Sequence, residues 1–359
     1  MQPEDSGNIK VLVVDDSAVV RQVLEAVLSQ ERDMLVMVAS DPLIAQQKMA
    51  RVRPDVIVLD LELPRMDGLT FLRKIMSEDP IPTVICSGLA ARGTEAALRA
   101  LDAGAVGIVT KPKFGVGNFL YESGLVLTDM VRSAAKARIR RATSPTLPKR
   151  WLPTPPPRPH VPGSLSGRVV AIGASTGGTE ALTEILTAMP PDAPGIVVVQ
   201  HMPEVFTAAF AKRLDRLSQI EVKEAEPRDR ISEGRALIAP GNRHMTVRRR
   251  GVHSIVEINN DPLVSRHRPS VDVLFCSVAK TQGANALGII LTGMGCDGVQ
   301  GLMEMKNAGA ETVAQDEATS VVFGMPKEAI ASGAVDWVLP LSQIPSKILA
   351  AAPGGNRNL

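Results

Sequence analysis

The sequence predicts an α/β protein built from two consecutive domains, each a largely parallel sheet flanked by helices. Three observations predict it. Short β-branched runs alternate with amphipathic segments from residue 9 to about 130, and the alternation resumes at Arg168. Between them lies a stretch that can hold neither a helix nor a central strand. A chain of 359 residues is also the size expected of two domains.

The first domain's runs are "KVLVV", "MLVMVAS", "DVIVLD", "TVICSG" and "VGIVTKP". Segments such as "RQVLEAVLSQ" and "EAALRALDAG" between them carry apolar residues at helical spacing. Five such units read as a parallel sheet with helices on both faces. From Ser144 to Gly163 eight of twenty residues are proline, which favours extended polyproline II conformations, so this is the linker. From Met130 to Thr179 nine Lys or Arg occur and no acid. That segment reads as a solvated basic linker, with a docking segment around Trp151 as the sharper alternative. In the second domain "RVVAIGAS", "GIVVVQHM", "RALIAPG", "ALGIILTG" and "ETVAQD" read as buried parallel strands. "MTVRRRGVHSIVEIN" has alternating character around an Arg-Gly turn and reads as an antiparallel hairpin.

Composition narrows the function classes. Hydrophobic residues make up 45% and charged residues 22%, a soluble globular profile. A net charge of +2 is too small to point to nucleic acid. Three scattered cysteines, Cys86, Cys276 and Cys296, suggest neither a disulfide framework nor a zinc site. No run approaches the ~18 apolar residues that span a membrane, and the N-terminus lacks a signal-peptide pattern. A reducing cytoplasm is the expected location, without membrane insertion.

In open α/β sheets function collects at the carboxyl ends of strands. In the first domain those ends carry Asp15, Asp16, Asp60, Ser87 and Lys111. Three carboxylates converging on one edge repel each other unless a hard cation sits among them, and Mg²⁺ is held by a few carboxylates, waters and phosphate oxygens. A lysine opposite would pair with an incoming phosphoryl group. This pattern points to phosphorylation of Asp60.

In the second domain "AIGASTGGTEAL" opens a helix after a strand. It fits a nucleophile elbow around Ser175 and also a glycine-rich turn that cradles a phosphate. A dinucleotide turn demands an acid at the end of the next strand. That strand, "GIVVVQH", ends in Gln200 and His201 instead. A reductase with a nucleotide turn thereby loses its anchor, and a serine nucleophile gains a base. Asp297, in the glycine-rich "MGCDG", supplies a carboxylate to fix the imidazole. The residues alone leave His244 beside His201, and Asp316 beside Asp297, while His267 and Asp272 fall at a helix start.

"VLVVDDS", "DVIVLDLELPRMDGL" and "TKP" resemble the receiver domain of two-component response regulators. "AIGASTGGTEAL", "VVQHMP", "HRPSVDVLF", "LTGMGCDG" and "AQDEATSVVFGMP" resemble the catalytic domain of the chemotaxis protein-glutamate methylesterases. The resemblance implies a flavodoxin-like (βα)5 receiver over 8–130, a linker over 131–165, and a three-layer α/β/α methylesterase domain over 166–350. It implies that Asp60 accepts phosphate and that Asp15, Asp16, Asp60 and the backbone of Glu62 hold Mg²⁺. Ser87 and Lys111 would sense the phosphoryl group. Ser175 would be the nucleophile, His201 the base and Asp297 its orienter, with the Met294 amide as oxyanion donor and Thr176 assisting. The esterase reaction itself would need no cofactor. The implied substrates are glutamate γ-methyl esters on methyl-accepting chemoreceptors, with glutamine deamidation by the same acyl chemistry. The implied phosphodonor is a chemotaxis histidine kinase, and a non-catalytic regulator that binds nucleic acid lacks a recognition helix. Two positions depart from the receiver pattern. Leu63 stands where methionine is usual, and Ile108 stands where many receivers carry a switch aromatic.

Overall fold

Burial explains the composition of the strands. The computed structural model describes residues 8–88, 91–111, 117–139 and 168–350. The first domain comprises β1 (Ile9–Val14), α1 (Ala18–Ser29), β2 (Met34–Ala39), α2 (Pro42–Arg51), β3 (Val56–Leu59), α3 (Gly68–Glu78), β4 (Thr83–Ser87), α4 (Ala91–Asp102), β5 (Gly107–Thr110) and α5 (Gly117–Ala135). The five strands form one parallel sheet in the order β2-β1-β3-β4-β5. The central strand β3, "VIVL", is buried at every position, as a strand covered by helices on both faces must be. Side-chain caps start the helices. Ser17 accepts from the Val20 amide, Asp41 from those of Leu43 and Ile44, and Asp67 from that of Thr70.

The second domain comprises β6 (Val169–Ala174), α6 (Gly178–Thr187), β7 (Gly195–Gln200), α7 (Glu204–Leu217), β8 (Glu221–Glu224), β9 (Arg235–Ile238), β10 (His244–Arg250), β11 (His253–Asn259), α8 (Val271–Gln282), β12 (Ala286–Ile290), α9 (Val299–Asn307), β13 (Glu311–Gln315), α10 (Met325–Ala331), β14 (Trp337–Leu339) and α11 (Ile344–Ala350). Seven strands make a parallel sheet in the order β14-β13-β12-β6-β7-β9-β8. The expected hairpin is present as the separate antiparallel pair β10–β11. The strands expected from the sequence all form. Two more, β8 and β14, close the sheet at its edges. "EVKE" is polar, and Trp337 and Val338 of "WVL" are about half exposed, so neither carries a buried-strand pattern.

The two domains are in contact. Helix α5 runs past residue 130 to Ala135, and the Arg138 amide beyond it donates to the Val321 carbonyl (2.9 Å). Helix α4 packs on α6 and α7, and one apolar cluster continues from Leu98 and Leu101 of the first domain to Leu182 and Phe210 of the second. The proline-rich segment and Trp151 lie outside the described residues.

Gly301 of α9 faces α8 at close approach. A Cβ there would lie 2.6 Å from the Phe275 Cβ and 2.9 Å from the Asp272 carbonyl oxygen. Alanine in a helix interior gains about 1 kcal/mol over glycine. Overpacking costs about 1–3 kcal/mol, and a backbone atom among the obstacles puts the cost at the high end. Gly301→Ala is therefore expected to lower the urea midpoint of the second domain, and an unchanged or higher midpoint would contradict this packing.

Candidate active site

Parallel pairing brings every β-strand's carboxyl end to one edge, and the second domain's chemistry lies there. Ser175 follows β6, and His201 follows β7 with its amide donating to the Ala174 carbonyl (3.0 Å). Asp297 lies between β12 and α9. His201 Nε2 meets Asp297 Oδ2 at 2.8 Å. Asp297 also accepts from the Ser270 hydroxyl (2.6 Å) and from the Val271 (2.7 Å) and Asp272 (3.2 Å) amides. Burial alone would raise its pKa. The bonds from His201, Ser270 and Val271 overcome that and hold it down to about 2. An ionised carboxylate only accepts, so Nε2 carries a hydrogen. Nδ1 is buried and makes no hydrogen bond. His201 and Ser175 line the same narrow cavity.

The rivals separate on their partners. His244 is fully buried, with Nε2 on the Pro262 carbonyl (3.0 Å) and Nδ1 accepting from the Ser270 amide (3.2 Å), so both nitrogens are engaged. Asp316 closes a local turn by accepting from the Thr319 amide (2.9 Å) and hydroxyl (2.5 Å). Asp272 accepts from the Gly301 amide (2.8 Å), where burial and then the neighbouring Asp297 raise its pKa.

Around Ser175 the backbone is drawn close. A Cβ on Gly293 would lie 2.7 Å from the Ser175 Cβ, so only glycine fits there, and the next residue is Met294. Gln200 donates to the Ser175 carbonyl (2.9 Å). Ser270, Gln200 and the ring of His267, which stacks on His201, belong to this site and were not assigned to it from the sequence. "HRPSVD" held the signal for Ser270, a serine cap just ahead of an apolar helix.

The first domain covers this edge. Leu101, Val106, Ile108 and Met130 line the cavity opposite Ser175 and His201. The Gly177 amide donates to the Val106 carbonyl (3.4 Å). The Ser133 hydroxyl donates to the Thr176 hydroxyl (2.8 Å), so Thr176 is turned toward α5. Ser175 keeps only 8% of its surface exposed, too little for a protein side chain to reach it.

On the first domain's own edge the Lys111 ammonium lies 2.8 Å from both Asp15 and Asp60. Burial works against its charge, but the two carboxylates raise its pKa. Burial, together with Asp60 nearby, raises that of Asp15 despite Lys111. One ligand oxygen from each of Asp15, Asp16 and Asp60 lies within 4.8 Å of the others. One ammonium among three carboxylates leaves an excess of negative charge, which suits a divalent cation. Asp15 and Asp60 are buried and Asp16 is exposed. Ser87 ends β4, buried, and Glu62 lies exposed just beyond Asp60.

Comparison with known proteins decides the family. The CheB methylesterase family matches residues 170–348, and the response regulator receiver domain family matches residues 11–115. A protein-glutamate methylesterase/protein-glutamine glutaminase of Anaeromyxobacter dehalogenans is 57% identical over 95% of this chain and 96% of its own length. The chain belongs to the protein-glutamate methylesterase/protein-glutamine glutaminase family. A member from Pseudomonas syringae pv. tomato is 56% identical, over 95% of this chain and 98% of its own. The catalytic domain of Thermotoga maritima CheB methylesterase superposes with a TM-score of 0.51 at 40% identity, covering 52% of this chain and 98% of that one. This enzyme is thus a methylesterase with a receiver domain ahead of its catalytic domain. Among the described residues no helix is long and apolar enough to cross a membrane.

The depressed pKa of Asp297 sets a pH dependence. A carboxyl that titrates near 2 when folded and at ~3.9 when unfolded stabilises the fold above pH ~4. That contribution is lost as pH falls toward 2. The stability difference between wild type and Asp297→Asn in urea is expected to shrink across this window, and a constant difference would count against the assignment.

Proposed function

We propose that this methylesterase hydrolyses glutamate γ-methyl esters on methyl-accepting chemoreceptors, with Ser175 as nucleophile, His201 as base and Asp297 as orienter. One observation carries the reading: Asp297 engages His201 Nε2 and leaves Nδ1 without a partner, and His201 lines the same cavity as Ser175.

The steps follow from that geometry. Ser175 Oγ attacks the ester carbonyl carbon as its proton passes to His201 Nδ1. The Met294 amide and the amides opening α6 receive the oxyanion. Collapse breaks the bond to methoxide, which takes the proton from His201 and leaves as methanol. Water, deprotonated by His201, attacks the acyl-serine and releases glutamate and Ser175. A glutamine side chain follows the same route with ammonia as leaving group. Asp297 stays ionised throughout and stabilises the imidazolium. Thr176 assists beside the nucleophile once its hydroxyl is released from Ser133.

The receiver supplies the control. Asp60 accepts a phosphoryl group from a chemotaxis histidine kinase. Mg²⁺ held by Asp15, Asp16, Asp60 and the backbone of Glu62 would neutralise the crowded carboxylates and orient phosphate oxygens. Lys111 then exchanges its carboxylate partners for the phosphoryl group, and Ser87 bonds to it. β5 links Lys111 to Ile108, which lies over the esterase cavity, so the change reaches the covering surface. The domains would be a receiver over 8–130, a linker over 131–165 and a catalytic domain over 166–350, working in the cytoplasm.

Methanol release from methylated receptor membranes tests the chemistry. Ser175→Ala is expected to abolish it in a folded protein, and Asp297→Asn to slow it by up to about 10⁴-fold. Near-normal release by Ser175→Ala would sink the reading. For control, removing residues 1–140 is expected to raise basal activity by about 5- to 150-fold, the range of a 1–3 kcal/mol coupling. Beryllofluoride with Mg²⁺ should activate the intact chain and leave Asp60→Asn unchanged. A truncated enzyme no faster than the unphosphorylated whole would show that the cover is not inhibitory.

A further inference from the structure

The bond to Asp297 does not by itself fix the base. An imidazole turns about its Cβ–Cγ bond, and the N–H at Nε2 leans along that axis while the outward direction at Nδ1 points nearly across it. One hydrogen bond at Nε2 therefore leaves a soft rotation that changes where Nδ1 points far more than where Nε2 points. Productive proton transfer needs Nδ1 within hydrogen-bond reach of the nucleophile, about 2.6–3.2 Å. Something must hold the plane of the ring.

The ring of His267 lies against that of His201, with centroids 3.7 Å apart and planes within 10°. An aromatic face at van der Waals distance blocks rotation out of the plane, which the carboxylate cannot do. The chain takes trouble to place it. Val264 and His267 exchange backbone hydrogen bonds (3.1 and 2.8 Å) across a two-residue turn. Both turn residues are left-handed without being glycine, Ser265 at φ 51° and Arg266 at φ 65°. Such conformations are unfavourable for residues with a Cβ and gather at functional sites. The charged and titratable groups acting on it are His201, Asp297 and Arg266 of the turn itself. Burial first, then the neighbouring His201, hold the pKa of His267 down to about 3. It is a neutral ring, and its π-face can meet an imidazolium without like-charge repulsion.

We propose that His267 is a positioning residue for the reaction: its stacked ring fixes the plane of His201 and so limits the directions in which Nδ1 can meet the nucleophile. The inference rests on the reading of His201 as the base. It requires the ring's flat face and no proton from it, so phenylalanine can replace it and alanine cannot.

The full-length chain contains five histidines, few enough to follow each ring by nitrogen-15 NMR. Wild type and His267→Phe are expected to show His201 in a single Nε2–H tautomer, and His267→Ala to show it exchanging between states. In parallel, a fluorophosphonate probe reports the rate at which Ser175 is phosphonylated. That rate should fall by about 10- to 100-fold in His267→Ala, the effect of misplacing a reacting group by about an ångström, with recovery in His267→Phe. Should the alanine variant not fold, His267→Leu against His267→Phe makes the same comparison. An unchanged His201 spectrum and labelling rate in the alanine or leucine variant would overturn the proposal. So would a phenylalanine variant as impaired as either. Failure of wild type to label at Ser175, with the NMR contrast intact, would instead defeat the nucleophile assignment.

Discussion

One buried carboxylate joins the working parts of the catalytic domain. Asp297 binds the imidazole that ends β7, the hydroxyl that caps α8 and the first amides of that helix. A desolvated charge is tolerated only when its bonds replace water. Here four donors do so, and the helix terminus adds its positive end. The three elements must meet for the charge to be stable, and their meeting anchors His201 at Nε2. Stability of the fold and readiness of the site thus rest on the same atoms. The short approach of Gly293 to Ser175 completes the arrangement from the neighbouring loop.

Much of this was legible in the sequence. Buried parallel strands announce themselves as apolar runs, and their carboxyl ends can be read off as the next residues. Asp15, Asp60 and Lys111 in one domain, and Ser175, His201 and Asp297 in the other, were picked out that way, and the structure brings each set together. What sequence could not separate was His201 from His244, because both stand near strand ends. The difference lies in what each nitrogen touches: His244 is saturated by a carbonyl and an amide, while His201 keeps one nitrogen free. Asp316 looked like a candidate acid for a similar reason, and its own hydroxyl and amide neighbours occupy it.

The edge strands β8 and β14 escaped notice because they are short and face water on one side, so no apolar run marks them. The stacked His267 escaped because a ring-on-ring contact across loops leaves no trace in spacing. The particular contact of α5 with the turn after Ser175 escaped for the same reason, since it joins residues 133 and 176 across the linker. Ile108 was noticed as a missing aromatic. In the structure it is an aliphatic wall of the shared cavity, 4% exposed, which gives that position a packing role at the domain contact.

The contact between the domains has two kinds of parts. Inside are the apolar side chains around Ile108 and the hydroxyl pair of Ser133 and Thr176. Outside are ion pairs, among the described residues Arg266 with Asp129 and Arg138 with Glu317, while Arg213 with Asp102 is partly buried. Solvent-exposed pairs add little to the strength of a contact, about 0–1 kcal/mol each. They act at a distance, guiding partners together, and salt screens them. Desolvated contacts act only once formed and govern how long they last. The speed with which the domains meet and the time they stay together therefore belong to different residues, and ionic strength would alter the first while leaving the second nearly untouched.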